Sequence, residues 1–280
     1  VKNGSEAGRL WSSKMYNLMV PSGIGDFSWI YSKFYNLGKK MNLMISKDEP
    51  KRLGPYVELL DLVETATNDG PSYYDLKAKA KYNFSDIVED NYFCIEANSH
   101  LERGEKLENW FPELKTNYHY PIKLGQLKLP FDYIVLYTSS MGMIKNWNGW
   151  RVSEWITFIH LIKREFGNLP IVIIGAKWDK LLTDKIVAKA RGKIIDYCGQ
   201  LHICDTLSLI KGSKYFVSFP SGLGILSNVL DVPTTMFYAE QIKNIMGTWS
   251  DPDSNNFDER LYCDPQKYFR FLKPILRGIL

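Results

Sequence analysis

The most constraining feature of this chain is a rhythm in its second half. Five short runs of nearly unbroken apolar residues recur there: YIVLY at 133–137, IVIIG at 171–175, KIID at 193–196, YFVSF at 215–219 and TTMFY at 234–238. A strand that faces water on one side alternates apolar and polar residues. A strand that is apolar throughout must be covered on both faces. Between the runs lie stretches with helical periodicity, at 150–165, 180–190, 204–210 and 223–230. Buried strands alternating with amphipathic helices specify an α/β chain with a parallel sheet between two helical layers. The first half repeats the pattern more sparsely, with strands expected at 16–21, 41–46 and 92–96 and a helix at 27–37.

At 124–130 the text becomes LGQLKLP, punctuated by Gly and Pro and without a period, and the boundary between two Rossmann-like halves is placed there. The expected organisation is a first domain over 1–127, a second domain over 128–262, and a final helix over 263–280. Tyr268, Phe269, Phe271 and Leu272 give that helix an apolar face, and it is a candidate to cross back to the first domain. Residues 68–90, rich in Asn, Asp, Tyr and Lys, are expected to be loops and one short helix. The chain shows no internal repeat and no low-complexity tract.

Charge excludes some classes. Lys and Arg total 35 against 31 acids, a net of +4, too mild for a protein that coats nucleic acid. The bases and acids balance at 17 each over 1–130 and stand at 18 to 14 over 131–280, so the excess lies in the second half. Cys94, Cys198, Cys204 and Cys263 form no CxxC pair, so neither a zinc cage nor a disulfide framework is expected, and the thiols read as free. No apolar run reaches the ~20 residues of a membrane span. The first fourteen residues are polar and lack a signal region, and Met15 is a candidate native start. The expectation is a cytoplasmic protein.

Ligands of doubly wound domains sit beyond the carboxyl ends of the strands, where helix N-termini present unpaired N–H groups. The loops after each strand therefore carry the candidate chemistry. The first is Pro21-Ser22-Gly23-Ile24-Gly25-Asp26, where Gly23 and Gly25 allow close approach of a ligand. Ser28 stands where a dinucleotide fingerprint needs glycine, and no P-loop GK[ST] follows. Asp26 reads either as an acid complementing the helix dipole or as a general base. The second loop runs Tyr137-Thr138-Ser139-Ser140 and on to Lys145-Asn146-Trp147, with hydroxyls and a lysine suited to diphosphate oxygens.

The third loop is Pro220-Ser221-Gly222-Leu223-Gly224-Ile225. Ser221 reads as the cap of the next helix, with Gly222 and Gly224 leaving its N–H groups open to an anion or letting it pack closely. In the fourth, Glu240 is either a ribose-binding carboxylate or a solvated acid. In the first half, Asn98 and His100 follow a strand and are candidates to line an acceptor pocket. His160, inside an amphipathic helix, reads as structural. No acid pair sits in a strand-end loop, so no metal site is expected.

In this order the loops resemble those of the heptosyltransferase-like glycosyltransferases (glycosyltransferase family 9, GT-B fold). That family's Gly-x-Gly-Asp is matched by Gly23-Ile24-Gly25-Asp26. Its strand, hydroxyls and Lys-x-Trp are matched by Thr138, Ser139 and Lys145-Asn146-Trp147. Gly175 ends the next strand, Tyr197-Cys198-Gly199-Gln200 supplies the glycine turn, and a helix resembling the family's follows at 206–212. The family's final Asp-Ser-Gly-x-x-His and its Gly-x-Pro-[ST] are matched by 220–225 and Asp231-Val232-Pro233-Thr234, with Pro220 replacing the Asp and Ile225 the His.

The resemblance implies a GT-B-like fold, two Rossmann-like domains whose parallel sheets face an interdomain cleft. It implies inverting transfer of a sugar from a nucleotide-diphosphate donor to a hydroxyl of a glycan or lipid-linked saccharide, without a metal or other cofactor. Asp26 would act as base and Lys145 would stabilise the departing diphosphate. Thr138, Ser139, Gly175, Ser221, Gly222, Leu223, Gly224 and Glu240 would hold the donor, and Gly23, Gly25, Asn98 and His100 the acceptor. Two other readings remain open: the same chemistry on a hydroxylated base in DNA, which the neutral first half disfavours, and a degenerate relative that binds nucleotide or glycan without turnover.

Overall fold

A computed structural model describes residues 15–47, 52–72, 75, 88–89, 92–95, 105–138, 150–167, 169–238, 250–261 and 263–280. The chain divides into two compact units, Val1–Lys123 and Leu124–Leu280.

In the first unit β1 (Met15–Val20) leads into α1 (Ile24–Phe34), β2 (Lys40–Ser46), the single turn α2 (Gly54–Val57) and β3 (Val63–Gly70). The short β4 (Val88–Glu89) and β5 (Tyr92–Cys94) follow. The sheet order is β3-β2-β1-β5-β4, parallel except for the antiparallel β4–β5 pair. β3 was not foreseen. It is an edge strand of largely exposed polar residues, so it lacks the apolar run that marks a covered strand.

Helix α1 is buried nearly all round, which is unusual for a sequence containing Ser28, Ser32 and Lys33. The cause is the segment from Leu107 to Tyr120, which lies along it. Asn117 N–H donates to Ser32 O at 2.8 Å, and the Phe111 ring meets Phe34 edge-on. Each buried polar group is met, as burial demands. Ser28 Oγ lies 2.6 Å from Tyr120 Oη, which is 2.8 Å from Tyr56 Oη, and Ser32 Oγ donates to Trp29 O. Lys33 Nζ donates to the carbonyls of Leu114 (3.2 Å) and Glu108 (3.4 Å).

The second unit contains β6 (Ile134–Tyr137), α3 (Val152–Phe166), β7 (Ile171–Ile174), α4 (Lys180–Val187) and β8 (Ile194–Asp196). It continues with α5 (Ile203–Lys211), β9 (Tyr215–Ser218), α6 (Gly222–Val229), β10 (Thr234–Tyr238), β11 (Phe257–Leu261) and α7 (Pro265–Ile279). The order is β11-β10-β9-β6-β7-β8, with parallel pairing between all neighbours. All five predicted strands are present, and β6, β7, β9 and β10 are buried end to end.

The core centres on Trp150, whose ring lies 4.8 to 6.1 Å from those of Trp155, Phe158, Phe219, Phe237 and Tyr268. Its Nε1–H donates to Cys263 O at 2.8 Å. Helix α7, read from sequence as a candidate to cross to the other domain, buries Tyr268, Phe269, Leu272 and Leu276 in this core. Asp264 caps it by accepting from Gln266 N and Lys267 N, and Lys273 and Arg277 pair with Glu165 of α3. Phe271, assigned to the apolar face, is half-buried under the Arg260 guanidinium.

The sequence put the domain boundary at 127/128; the units divide after Lys123. Gly125 and Leu127 are held by α5: Gly125 N donates to Cys204 O, Ser208 Oγ to Gly125 O, and Leu127 N to Asp205 Oδ1. All four cysteines are free. His160 Nε2 accepts from Arg191 N. Among the described residues no helix is long and apolar enough to cross a membrane, and no His, Cys, Asp and Glu cluster has the geometry of a metal site.

Candidate functional site

Strand order locates the site in each unit. In the second sheet β6 and β9 are neighbours, with Tyr137 opposite Ser218. The chain leaves β6 toward β7 on one side, and leaves β9 toward β10 on the other. The carboxyl ends of β6 and β9 therefore flank a topological switch point, where open α/β sheets leave a crevice. Two loops separated by about eighty residues, one starting at Thr138 and one at Phe219, emerge side by side there.

The Phe219 loop runs directly into α6. Ser221 is its N-cap, and Ser221 Oγ accepts from Gly224 N at 3.1 Å. Gly224 N is thereby paired, while the N–H groups of Gly222 and Leu223 belong to the first turn, which a helix cannot satisfy internally. Ser221, Gly222 and Leu223 are all part-exposed, so these donors and the positive end of the helix are accessible to an anion. Gly224 serves a different purpose. A Cβ there would lie 2.7 Å from Met236 Sδ and 2.9 Å from Ser218 Oγ, so the glycine lets α6 settle on β9 and β10. Pro220 and Ile225, the two departures from the family pattern, are both buried.

At β6 the arrangement differs from the expectation. Thr138 is fully buried, with Oγ1 turned toward Thr183 Oγ1 of α4 at 3.3 Å rather than outward. Gly175, at the end of β7, makes room for two side chains: a Cβ there would meet Cys198 Sγ at 2.9 Å and Asp179 Oδ2 at 3.1 Å. Asp179 escaped the sequence reading. It is 1% exposed, and its Oδ2 accepts from Tyr137 Oη (3.2 Å) and Ala176 N (2.9 Å), tying the ends of β6 and β7 together. The signal was an acid four residues beyond the strand-ending glycine. Burial pushes the neighbouring Cys198 thiol up to about 11, so it stays protonated at neutral pH.

In the first sheet the reversal lies between β1 and β5, joined by Leu18–Phe93 and Met19–Cys94 pairing and by Ile95 N donating to Met19 O. The loop after β1 carries Gly23-Ile24-Gly25-Asp26. Helix α1 starts at Ile24, so Asp26 is its third residue, and Gly23 is its N-cap with φ −76° and ψ 128°. Those angles suit any residue; what the glycine provides is room for the Asp26 carboxylate in its present position. A Cβ at Gly23 would collide with Asp26 Oδ2, because the carboxylate folds back over the Gly23 Cα. Gly25 is buried in the first turn and Asp26 is part-exposed. Ser139, Lys145, Glu240, Asn98 and His100 lie outside the described residues.

No protein-family model matches the sequence, and no curated protein matches it. Solved structures do. Escherichia coli ADP-heptose lipopolysaccharide heptosyltransferase II aligns over 94% of this chain and 99% of its own, with a TM-score of 0.63 at 14% identity. The E. coli heptosyltransferase WaaC with ADP aligns over 92% and 99%, with a TM-score of 0.56 at 12% identity. A glycosyltransferase family 9 protein of Veillonella parvula aligns over 93% and 89%, with a TM-score of 0.57 at 10% identity. The chain has the GT-B fold of these heptosyltransferases.

Proposed function

We propose that the protein is a glycosyltransferase that moves a sugar from a nucleotide-diphosphate donor to a hydroxyl of a glycan or lipid-linked saccharide, with inversion and without a metal. The observation that carries this reading is the switch point of the second sheet, where the loop after β6 and the N-terminus of α6 emerge side by side. Fold alone does not determine chemistry, and the site must supply the warrant. An anion site built from Gly222 and Leu223 N–H groups suits a diphosphate.

In the proposed reaction Asp26 accepts the proton of the acceptor hydroxyl as its oxygen attacks the anomeric carbon. The bond to the diphosphate breaks, and the leaving group departs with both electrons. Negative charge grows on that group, so donors fixed beforehand stabilise the transition state more than the ground state. Lys145, Ser139 and the α6 N-terminus are assigned this role, and Glu240 the ribose hydroxyls. Thr138, with its hydroxyl on Thr183, is assigned to shaping the loop rather than touching the donor.

The test has two arms. Thermal-shift screening against nucleoside diphosphates and nucleotide sugars identifies the donor, because a ligand of the native state raises Tm with its saturation. With that donor, Asp26→Asn should abolish transfer and leave the donor-induced shift intact, and a chelator should leave the rate unchanged. Full transfer by Asp26→Asn removes Asp26 as the base; loss with chelator removes the metal-free mechanism.

A further inference from the structure

The protein's charge is concentrated in one place that the proposed reaction does not use. Residues 177–193 (KWDKLLTDKIVAKARGK) hold six bases and two acids, a net of +4, which equals the net charge of the whole chain. The other residues sum to zero. Both acids in the segment are occupied: Asp179 is buried beneath Tyr137, and Asp184 pairs with Lys180 at 2.8 Å. What faces water is Lys177, Lys185, Lys189 and Arg191, all exposed, together with Lys193, also exposed, whose ammonium lies 4.2 Å from the centre of the Phe131 ring.

Two large apolar side chains share this surface. Trp178 is 40% exposed and Leu181, one turn further on, 72%. The opposite side of α4 is committed inward, with Thr183 and Ile186 fully buried and Ile186 in the main core. Leu181, Lys185 and Ala188 follow at spacings of four and three, so the outward side is one stripe with apolar residues at its start and cations along its length.

We propose that this face of α4, with the turns before and after it, docks on an anionic lipid bilayer. An aromatic in the turn before a short helix and a leucine in that helix's first turn, with lysines around them, match the interfacial boundary, where apolar groups enter the acyl region and cations reach headgroup phosphates. Five of the six bases are lysines, flexible point charges rather than the planar forks that suit bidentate phosphate recognition in nucleic acid. Docking here rests on α4 alone and stands whether or not the proposed reaction does.

The experiment is co-sedimentation of the full chain with vesicles of phosphatidylcholine alone and with equal parts phosphatidylcholine and phosphatidylglycerol. Binding is expected only to the anionic vesicles. Lys185→Gln with Lys189→Gln should weaken it about 25-fold, or about fivefold per cation removed. Trp178→Ser with Leu181→Ser should abolish what remains at high salt. Lys106→Gln with Lys115→Gln, an equal loss of exposed charge in the first unit, should change nothing, and unchanged melting temperatures certify the folds.

Equal binding to both vesicle types, no binding, or equal binding by wild type and the α4 variants overturns the proposal. So does preferential capture of polyuridylate over anionic vesicles. Trp178→Ser losing nucleoside-diphosphate binding while still sedimenting fully would also overturn it, by assigning the indole to a soluble ligand. Asp26→Asn should sediment as wild type, so failure of the reaction and failure of docking are read separately.

Discussion

Lys33 is a cation that the fold hides. It is 1% exposed inside α1, and its partners are two carbonyl oxygens rather than a carboxylate. Burial lowers its pKa from 10.5 to about 8, against the opposing pull of Glu108 and Glu113. In the unfolded chain the amine titrates near 10.5. Below pH 8 both states are protonated and the penalty is present in full. Between 8 and 10.5 the folded protein releases its proton first, so the unfolded chain holds more protons and stability rises with pH. At 1.36 kcal/mol per unit the whole shift is a ceiling of about 3 kcal/mol. About 2 kcal/mol of it is recovered between pH 7 and pH 9.5.

Lys33→Met keeps the apolar stem and cannot titrate. Urea denaturation of both proteins at the two pH values should show wild type gaining about 2 kcal/mol on the variant as pH rises. Measurements should stop there, because Tyr31, raised to about 12, stays neutral in the fold while unfolded tyrosines ionise from about 10, so both proteins lose stability above that pH and the gap is harder to read. A stability gap that stays constant to within about 0.5 kcal/mol would refute the assignment of the buried ammonium.

Four further outcomes follow from the packing. Gly23→Ala should leave Tm within a few degrees, since its φ is ordinary, yet lower kcat sharply by displacing the Asp26 carboxylate; unchanged steady-state rates would show that its fold-back position is irrelevant. Gly224→Ala should destabilise by about 1–3 kcal/mol through overpacking. Ser218→Ala, removing a buried hydroxyl without a hydrogen-bond partner among the described residues, should be neutral or stabilising and soften the Gly224→Ala loss in a double-mutant cycle read by urea midpoints. Asp264→Ala should cost about 1 kcal/mol by uncapping α7, visible in thermal melts; an unchanged Tm would show that its two N–H bonds add nothing net.

The covered strands were legible because two-sided burial writes itself as an apolar run, as in IVII of β7. The edges were not. β3 (VETATNDG) and β11 (FDERL) each pair with one neighbour, and their polar residues satisfy no buried pattern. The start of α1 was expected at Phe27 and lies at Ile24, because a glycine N-cap announces a helix weakly. The loop glycines were found by position, but their reasons were visible only in space. Gly23 yields to Asp26, Gly175 to Asp179 and Cys198, and Gly224 to Met236 and Ser218. Asp179 was missed because its one local mark, a place four residues beyond Gly175, fits a solvated helix-start acid equally well.

The glycines of the α6 loop sit beside the two departures from the family pattern. Pro220 and Ile225 stand where the family pattern has Asp and His, and both are buried here. If donor binding rested on those side chains, the site would be lost. The part-exposed donors at α6 are instead backbone N–H groups of Gly222 and Leu223, fixed by the Ser221 cap and by the close seat that Gly224 allows. Proline at 220 removes an N–H that precedes the cap, outside the helix's first turn, so it subtracts none of them. A leucine at 223 adds bulk without contributing a polar group. On the proposed reading the two changes leave the anion-binding frame intact, so this loop would meet the donor through its diphosphate. Discrimination of the sugar would then fall to residues elsewhere in the chain.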